Sequence, residues 1–208
     1  MGRYINAVCR LCRREGEKLF LKGLRCNTPK CALAKRSYAP GQHGQSRQKL
    51  SNYGIQLREK QKAKWMYGLL ERQFRRYFAI ASKSKGVTGK VLLQLLERRL
   101  DNVIFRLGLG LSRAQARQIV RHNLVYVNSK RVNIPSYLIN KDDIVQIKAK
   151  EKAEKKLREN LELSSERSIP SWLEFSPNEL RAKVLRLPEK DDIQQPIQEQ
   201  LIVELYSK

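Results

Sequence analysis

Cys9, Cys12, Cys26 and Cys31 are the only cysteines in the chain, spaced as C-x2-C, thirteen residues, then C-x4-C. Two such pairs offer four soft thiolates to one ion, the donor set of a closed tetrahedral zinc site. With all four positions filled by protein there is no place for water or substrate, so the expected role is one structural Zn2+. Four thiolates also hold an iron–sulfur cluster, and two disulfides are a third arrangement. Arg10, Arg13, Arg14, Arg25 and Lys30 flank the cysteines; cations so placed are expected to lower the thiol pKa values and to offset the double negative charge of a four-thiolate zinc centre. His43 is a spare ligand, expected to be solvated or against phosphate.

Arginine supplies the second pattern. Arg113, Arg117 and Arg121 recur every four residues, a step that drifts only about 40° around a helix, so the three share a face while Ile119 and Val120 turn inward. Arg99 and Arg106 share a face of the preceding segment, and Lys130 and Arg131 lie at a turn that follows. Guanidinium forks match phosphate and stack on bases, which suits such rows to RNA. Catalytic patterns fail by comparison. Gly108-Leu-Gly110 has Arg113 where a dinucleotide loop needs its third glycine, Gly89-Lys90 has Ser84 and Val91 where a phosphate loop needs Gly and Ser or Thr, and the two histidines stand 79 positions apart.

These residues sit in a chain of 208 with 43 Lys and Arg against 20 Asp and Glu, a formal charge of +23. Such an excess implies a polyanionic partner. It is uneven: residues 1–150 carry 33 basic and 8 acidic side chains, residues 151–208 carry 10 and 12. No apolar run approaches the ~20 residues of a membrane span, and MGRYINAVCRLCRREG lacks the apolar core of a signal peptide. The expectation is a soluble, cytoplasmic protein with no membrane partner.

The elements that must position the cysteines and arginines follow from composition and periodicity. Residues 1–50 are rich in Gly, Pro and basic side chains and read as an irregular module. From Ser51 to Ser82, Leu57, Met66, Leu70, Phe74, Phe78 and Ala81 recur near the helical period, with Arg58, Lys62, Arg72, Arg75 and Arg76 between them as further candidate RNA-binding residues, beside Lys130 and Arg131. This predicts helices broken near Tyr67-Gly68. The polar stretch 82–90 reads as a hinge and domain boundary. Leu92, Leu96, Leu100, Val103 and Leu107 then form one stripe, predicting a single long helix ended by Gly108 and Gly110. Ser112 with Gln115 fits a capping box that opens a second helix running to about His122. Strands are predicted at 124–127, 132–134 and 144–147, a helix at 151–163, short strands at 172–175 and 184–187, and a buried terminal segment at 201–206. The fold class is α+β: an irregular metal-binding N-terminal module, a helical domain, and a mixed α/β domain with a helix pair and a small antiparallel sheet.

The stretch LERRLDNVIFRLGLGLSRAQARQIV, with VNSKRVNIPSY after it, is similar to the RNA-binding domain named for small-subunit ribosomal protein four. MGRYINAVCRLCRREG, APGQHGQ, QLREKQKAKWMYGLLERQF and LIVELYSK resemble the bacterial form of that ribosomal family, in the same order, so the resemblance covers essentially the whole chain. It implies a primary binder of small-subunit ribosomal RNA that organises a helix junction of the 5′ domain, nucleates assembly of the subunit body, and is no enzyme. The domains it implies are 1–50, 51–90 with 196–208 packing back on it, and 91–195, with the RNA-binding helix pair at about 97–160. It assigns RNA-facing roles to Arg99, Arg106, Ser112, Arg113, Gln115, Arg117 and Arg121, and places Arg47 and Lys49 near the channel through which messenger RNA enters. It further implies ribosomal protein five of the small subunit as a neighbour, a part in decoding accuracy, and one copy per subunit of a bacterial or organellar ribosome. At the turn Asn128-Ser129, many members have Gly in the second position.

Two other functions share some of these features. An RNA-modifying enzyme resembling pseudouridine synthases would use Asp101 of Arg99-Leu100-Asp101. A zinc-dependent nucleic-acid-binding regulator would use the cysteine cluster and the net charge on duplex DNA.

Overall fold

Side-chain caps, left-handed residues and one buried charge pair decide where this chain changes direction. The structure, a computed structural model, describes residues 2–46, 49–165, 167–193 and 197–207. Among these, helices are α1 (Cys9–Glu15), α2 (Ala32–Lys35), α3 (Asn52–Met66), α4 (Glu71–Lys83), α5 (Thr88–Glu97), α6 (Leu100–Arg106), α7 (Arg113–Arg121), α8 (Glu151–Leu163) and α9 (Glu199–Tyr206). Strands are β1 (Val125–Val127), β2 (Lys130–Arg131), β3 (Ile144–Ile147), β4 (Leu173–Ser176) and β5 (Arg181–Val184), with 3₁₀ turns at Gly23–Asn27 and Lys190–Asp192. Two compact units result: the chain up to Leu92 together with α9, and the chain from Leu93 to the residues before α9.

In the first unit Ser51 caps α3, its Oγ accepting the Gly54 N–H at 3.2 Å. The helix ends at Tyr67-Gly68, where Gly68 takes a φ of 66°. On α4 the apolar positions Phe74, Tyr77 and Ala81 are buried while Arg72, Arg75 and Arg76 face outward. The terminal run forms α9, which packs on α3. Gln56 Nε2 donates to Glu204 at 2.9 Å and the Gln198 N–H donates to Glu59 at 2.8 Å. Tyr206 lies on Phe78, centroids 4.6 Å apart, and its hydroxyl donates to Glu71 at 2.8 Å. Burial pushes the Glu71 carboxyl up, but donors on Lys60, Tyr206 and Lys64 outweigh it and hold the group at about 2.

The second unit is a five-stranded antiparallel sheet in the order β2-β1-β3-β5-β4. The two-residue period turns Val125, Val127, Val145, Ile147, Ala182 and Val184 into one core with Leu100, Val103, Ile104, Ala116, Val120, Leu157 and Trp172.

The single helix expected over 92–107 is two helices. Arg99 adopts an extended ψ of 134°, and residues 135–139 run alongside the break. Leu100 N–H donates to the Tyr137 carbonyl at 2.9 Å, and Ile139 N–H to the Arg98 carbonyl at 3.0 Å. Leu92, Leu96, Leu100, Val103 and Leu107 are buried on both sides of the break, so the apolar stripe continues through it. In place of the strand expected at 132–134 the chain forms β2 at Lys130–Arg131, and the strand expected at 184–187 lies earlier, at Arg181–Val184.

The β1–β2 hairpin explains the first shift. Val127 pairs with Lys130, leaving Asn128 and Ser129 as a two-residue loop with φ of 47° and 67°, the left-handed pair that a type I′ turn needs. Asn128 is held there: its Nδ2 donates to Asp143 at 2.7 Å and its Oδ1 accepts the Ile144 N–H at 2.9 Å. Ser129 is exposed and takes its left-handed φ with a Cβ that a glycine would not carry. Ser129→Gly is therefore expected to stabilise the protein by about 1 kcal/mol, read as a higher urea midpoint at unchanged slope; a lower midpoint would contradict the turn assignment.

Candidate nucleic-acid interface

The helix pair is set by a close turn. A Cβ on Gly108, whose φ is 78°, would lie 2.5 Å from Ser164 Oγ, and one on Gly110 would lie 2.9 Å from the Ala116 nitrogen. Ser112 then caps α7, its Oγ accepting the Gln115 N–H at 3.3 Å. The reciprocal half of the expected box moves by one residue, because Gln115 Oε1 accepts from the Leu111 N–H at 2.9 Å. Ser112 and Gln115 thus build the start of α7.

Three arginines expected on the RNA-facing side are instead internal. Arg99 is fully buried and grips Asp101 with two bonds, Nε to Oδ1 at 3.0 Å and Nη2 to Oδ2 at 2.7 Å. Arg106 holds Glu97 the same way, at 3.0 and 2.7 Å, while Asn102 Nδ2 donates to Glu97 at 2.7 Å. Arg113 donates from Nε to Asn102 at 2.9 Å and lies 4.5 Å above the Phe105 ring. The carboxylates stand two residues after Arg99 and nine before Arg106, spacings that a search for helical neighbours three or four apart does not sample. Asp101, the residue that the RNA-modifying alternative would use, is buried between Arg99 and Arg117.

Arg117 stands half-buried, Nη1 3.4 Å from Asp101 Oδ2; burial lowers its pKa against the opposing pull of Asp101. Arg121, Lys130 and Arg131 are exposed. In the first unit Arg72, Arg75, Arg76 and Lys49 are exposed, with Arg75 3.7 Å from Glu71. Arg47 lies outside the described residues. Arg58 and Lys62 are structural: Arg58 pairs with Glu15 at 2.9 Å, and buried Lys62 with Glu59 at 3.2 Å and Glu17 at 3.3 Å. Burial pushes Glu15 up to about 7 despite Arg58.

One consequence unites these placements. Seven of the eight acidic side chains in residues 1–150, Glu15, Glu17, Glu59, Glu71, Glu97, Asp101 and Asp143, are engaged by the protein's own cations or amides. The exposed remainder is overwhelmingly basic. Arg98, which the sequence argument did not single out, ties the break between α5 and α6 to its neighbour, Nε donating to the Ile139 carbonyl at 2.8 Å and Nη2 to Asn140.

The four cysteines come from α1, the 3₁₀ turn and the residue preceding α2, are all unbridged, and line one small cavity with Lys22, Arg25, Ala32 and Leu33. Burial raises the Cys12 and Cys26 thiols, and neighbouring cysteines add to it. This reverses the lowering expected from flanking cations. Among the described residues no set of three or more His, Cys, Asp or Glu side chains is already drawn together as a metal site; what the four thiols share is the lining of this cavity. His43 is exposed and outside it.

The internal and external arginines are expected to separate in one experiment. Arg121→Gln should weaken binding to any RNA alike and reduce the salt slope by about 1. Arg106→Met should leave that slope intact and destabilise the fold by about 3–5 kcal/mol, because Glu97 stays buried without its partner. A reduced salt slope for Arg106→Met in folded protein would place that guanidinium on the RNA.

Comparison with known proteins fits this geometry. Residues 3–97 match the description "Ribosomal protein S4/S9 N-terminal domain" and residues 98–145 match "S4 domain", the two meeting where α5 ends. The chain is 60% identical over 208 residues to the small ribosomal subunit protein uS4 of Acetivibrio thermocellus, 59% to that of Pelotomaculum thermopropionicum and 57% to that of Thermodesulfovibrio yellowstonii, each covering 100% of both chains. With its sheet, helix pair and N-terminal module matched from end to end by these relatives, the chain belongs to the uS4 family of small ribosomal subunit proteins.

Proposed function

We propose that the protein is a structural constituent of the small ribosomal subunit that binds its ribosomal RNA and catalyses no reaction. The observation that carries this is the separation of charge: seven of the eight carboxylates of residues 1–150 are engaged by the protein's own cations or amides, Glu97, Asp101 and Asp143 among them in the interior, while Arg72, Arg76, Arg121, Lys130 and Arg131 remain exposed. A surface of one sign on a folded scaffold reads a folded, polyanionic partner by shape. The relatives, all named as ribosomal proteins of the small subunit, support the same role.

The finer reading follows the family resemblance. The protein is a primary binder that organises a 5′-domain helix junction and nucleates the subunit body, as one copy per subunit, beside ribosomal protein five. Exposed Lys49, with Arg47, faces messenger RNA where it enters the subunit. Residues 1–50, 51–90 with 196–208, and 91–195 act as three parts of this scaffold.

The N-terminal module holds one structural zinc ion through Cys9, Cys12, Cys26 and Cys31. What supports this is the soft donor set and the shared cavity. The ion would add to the bonds by which Arg13 and Arg14 already tie α1 to the carbonyls of Tyr38, Ala39 and Pro40.

Two measurements test these readings. Binding to the 5′ domain of small-subunit ribosomal RNA should exceed binding to a scrambled RNA of equal length by about a hundredfold at physiological salt, near 2.7 kcal/mol; coincident curves would leave only a generic polyanion clamp. Elemental analysis should find one zinc per chain, and Cys12→Ser should disorder chiefly residues 1–50 while RNA binding by the helix pair persists. Iron with a broad visible band would replace zinc by a cluster.

A further inference from the structure

The α6–α7 turn has four consecutive carbonyls, and each accepts a hydrogen bond from a side chain on α8 or just after it. Ser164 Oγ donates to Gly108 at 2.9 Å, Asn160 Nδ2 to Leu109 at 3.0 Å, and Arg167 donates to Gly110 at 3.5 Å and to Leu111 at 2.9 Å. Asn160 and Ser164 are buried. Arg167 also lies 4.8 Å from the Phe105 centroid, the ring on which Arg113 stacks at 4.5 Å. Asn160 stands on α8, Ser164 is the residue that ends it and Arg167 follows beyond the helix, so the end of α8 and the chain after it meet the turn carbonyl by carbonyl. Gly108 permits this approach, since any Cβ there would strike Ser164 Oγ. All three side chains lie beyond residue 145, where the S4-domain match ends.

We propose that Asn160, Ser164 and Arg167 are positioning residues for RNA recognition: they clasp the α6–α7 turn and fix the angle at which α7 carries Arg117 and Arg121. None of the three touches RNA through this clasp. Their effect is preorganisation, because a turn held at four points does not have to be ordered when RNA arrives. Charge alone gives affinity for any RNA, whereas the angle of α7 decides which folded RNA fits. The inference rests on the RNA-binding role proposed above.

The test compares wild type, Arg167→Lys and Ser164→Ala in the full chain. Lysine keeps the charge but cannot span two neighbouring carbonyls while lying flat on Phe105. Amide hydrogen exchange at residues 109–112 is expected to accelerate in both variants. The preference for cognate 5′-domain RNA over scrambled RNA should fall about tenfold for Arg167→Lys, with an unchanged salt slope, and less for Ser164→Ala. If Arg167→Lys does not fold, Ser164→Ala carries the comparison alone. Faster exchange with full discrimination would overturn the proposal, as would unchanged exchange. A wild-type protein that shows no discrimination would instead overturn the RNA-binding role itself.

Discussion

A guanidinium removed from water needs acceptors, and a carboxylate is the strongest of them; the architecture of the second unit depends on supplying one twice within ten residues. Arg99 with Asp101, and Arg106 with Glu97, are both two-point pairs among buried atoms. Leaving either charge alone in the interior would cost several kcal/mol. The chain therefore gives up a continuous helix: by breaking at Arg98-Arg99 it turns Arg99 back onto Asp101 and lets Glu97, the last residue of α5, reach Arg106 at the end of α6. The backbone donors released at the break are taken by the carbonyls of Pro135 and Tyr137, which brings the connection between β2 and β3 against α6.

That local solution has a consequence for the whole surface. The carboxylates of residues 1–150 are few, and most are engaged by the protein's own cations or amides, so little free acid interleaves with the exposed lysines and arginines. Some of the basic side chains hold the structure and the rest are left to face a polyanion. The clasp from Asn160, Ser164 and Arg167 continues the same logic, since polar side chains from α8 satisfy the backbone of a turn whose apolar neighbours face the core. In the first unit Glu71 plays the corresponding part, gathering Lys60, Lys64 and Tyr206 and so tying α9 to α3 and α4.

Features governed by near neighbours were legible in the sequence. Ser112 marked a helix start because a cap acts over three residues, and the gap at Tyr67-Gly68 marked a break because the apolar pattern changes there. The cysteine spacing located the N-terminal module. The break at Arg98-Arg99 was hidden, because the leucine stripe keeps step across it. The burial of Arg99, Arg106 and Arg113 was hidden for a related reason: their partners lie at separations that no helical rule anticipates, and a row of arginines looks the same whether it faces solvent or a buried acid. Arg58 and Lys62 misled in the same way. Leu201 to Tyr206 was too short an apolar run to distinguish strand from helix, and only α3 makes it a helix with a buried face. Asn160, Ser164 and Arg167 gave no signal within a mixed-charge helix, since their role exists only opposite the turn that they hold.

The central claim is that the arginines of the helix pair divide into those that hold the fold and those proposed to face RNA. The most direct measurement is the NMR signal of each arginine Nε–H in the full chain, with and without 5′-domain RNA. The account predicts that Arg99 and Arg106 give slowly exchanging Nε–H signals in the free protein that stay in place on binding, while Arg121 exchanges rapidly when free and shifts with RNA. Rapid exchange at Arg99 and Arg106 in the free protein, with large shifts on adding RNA, would contradict it.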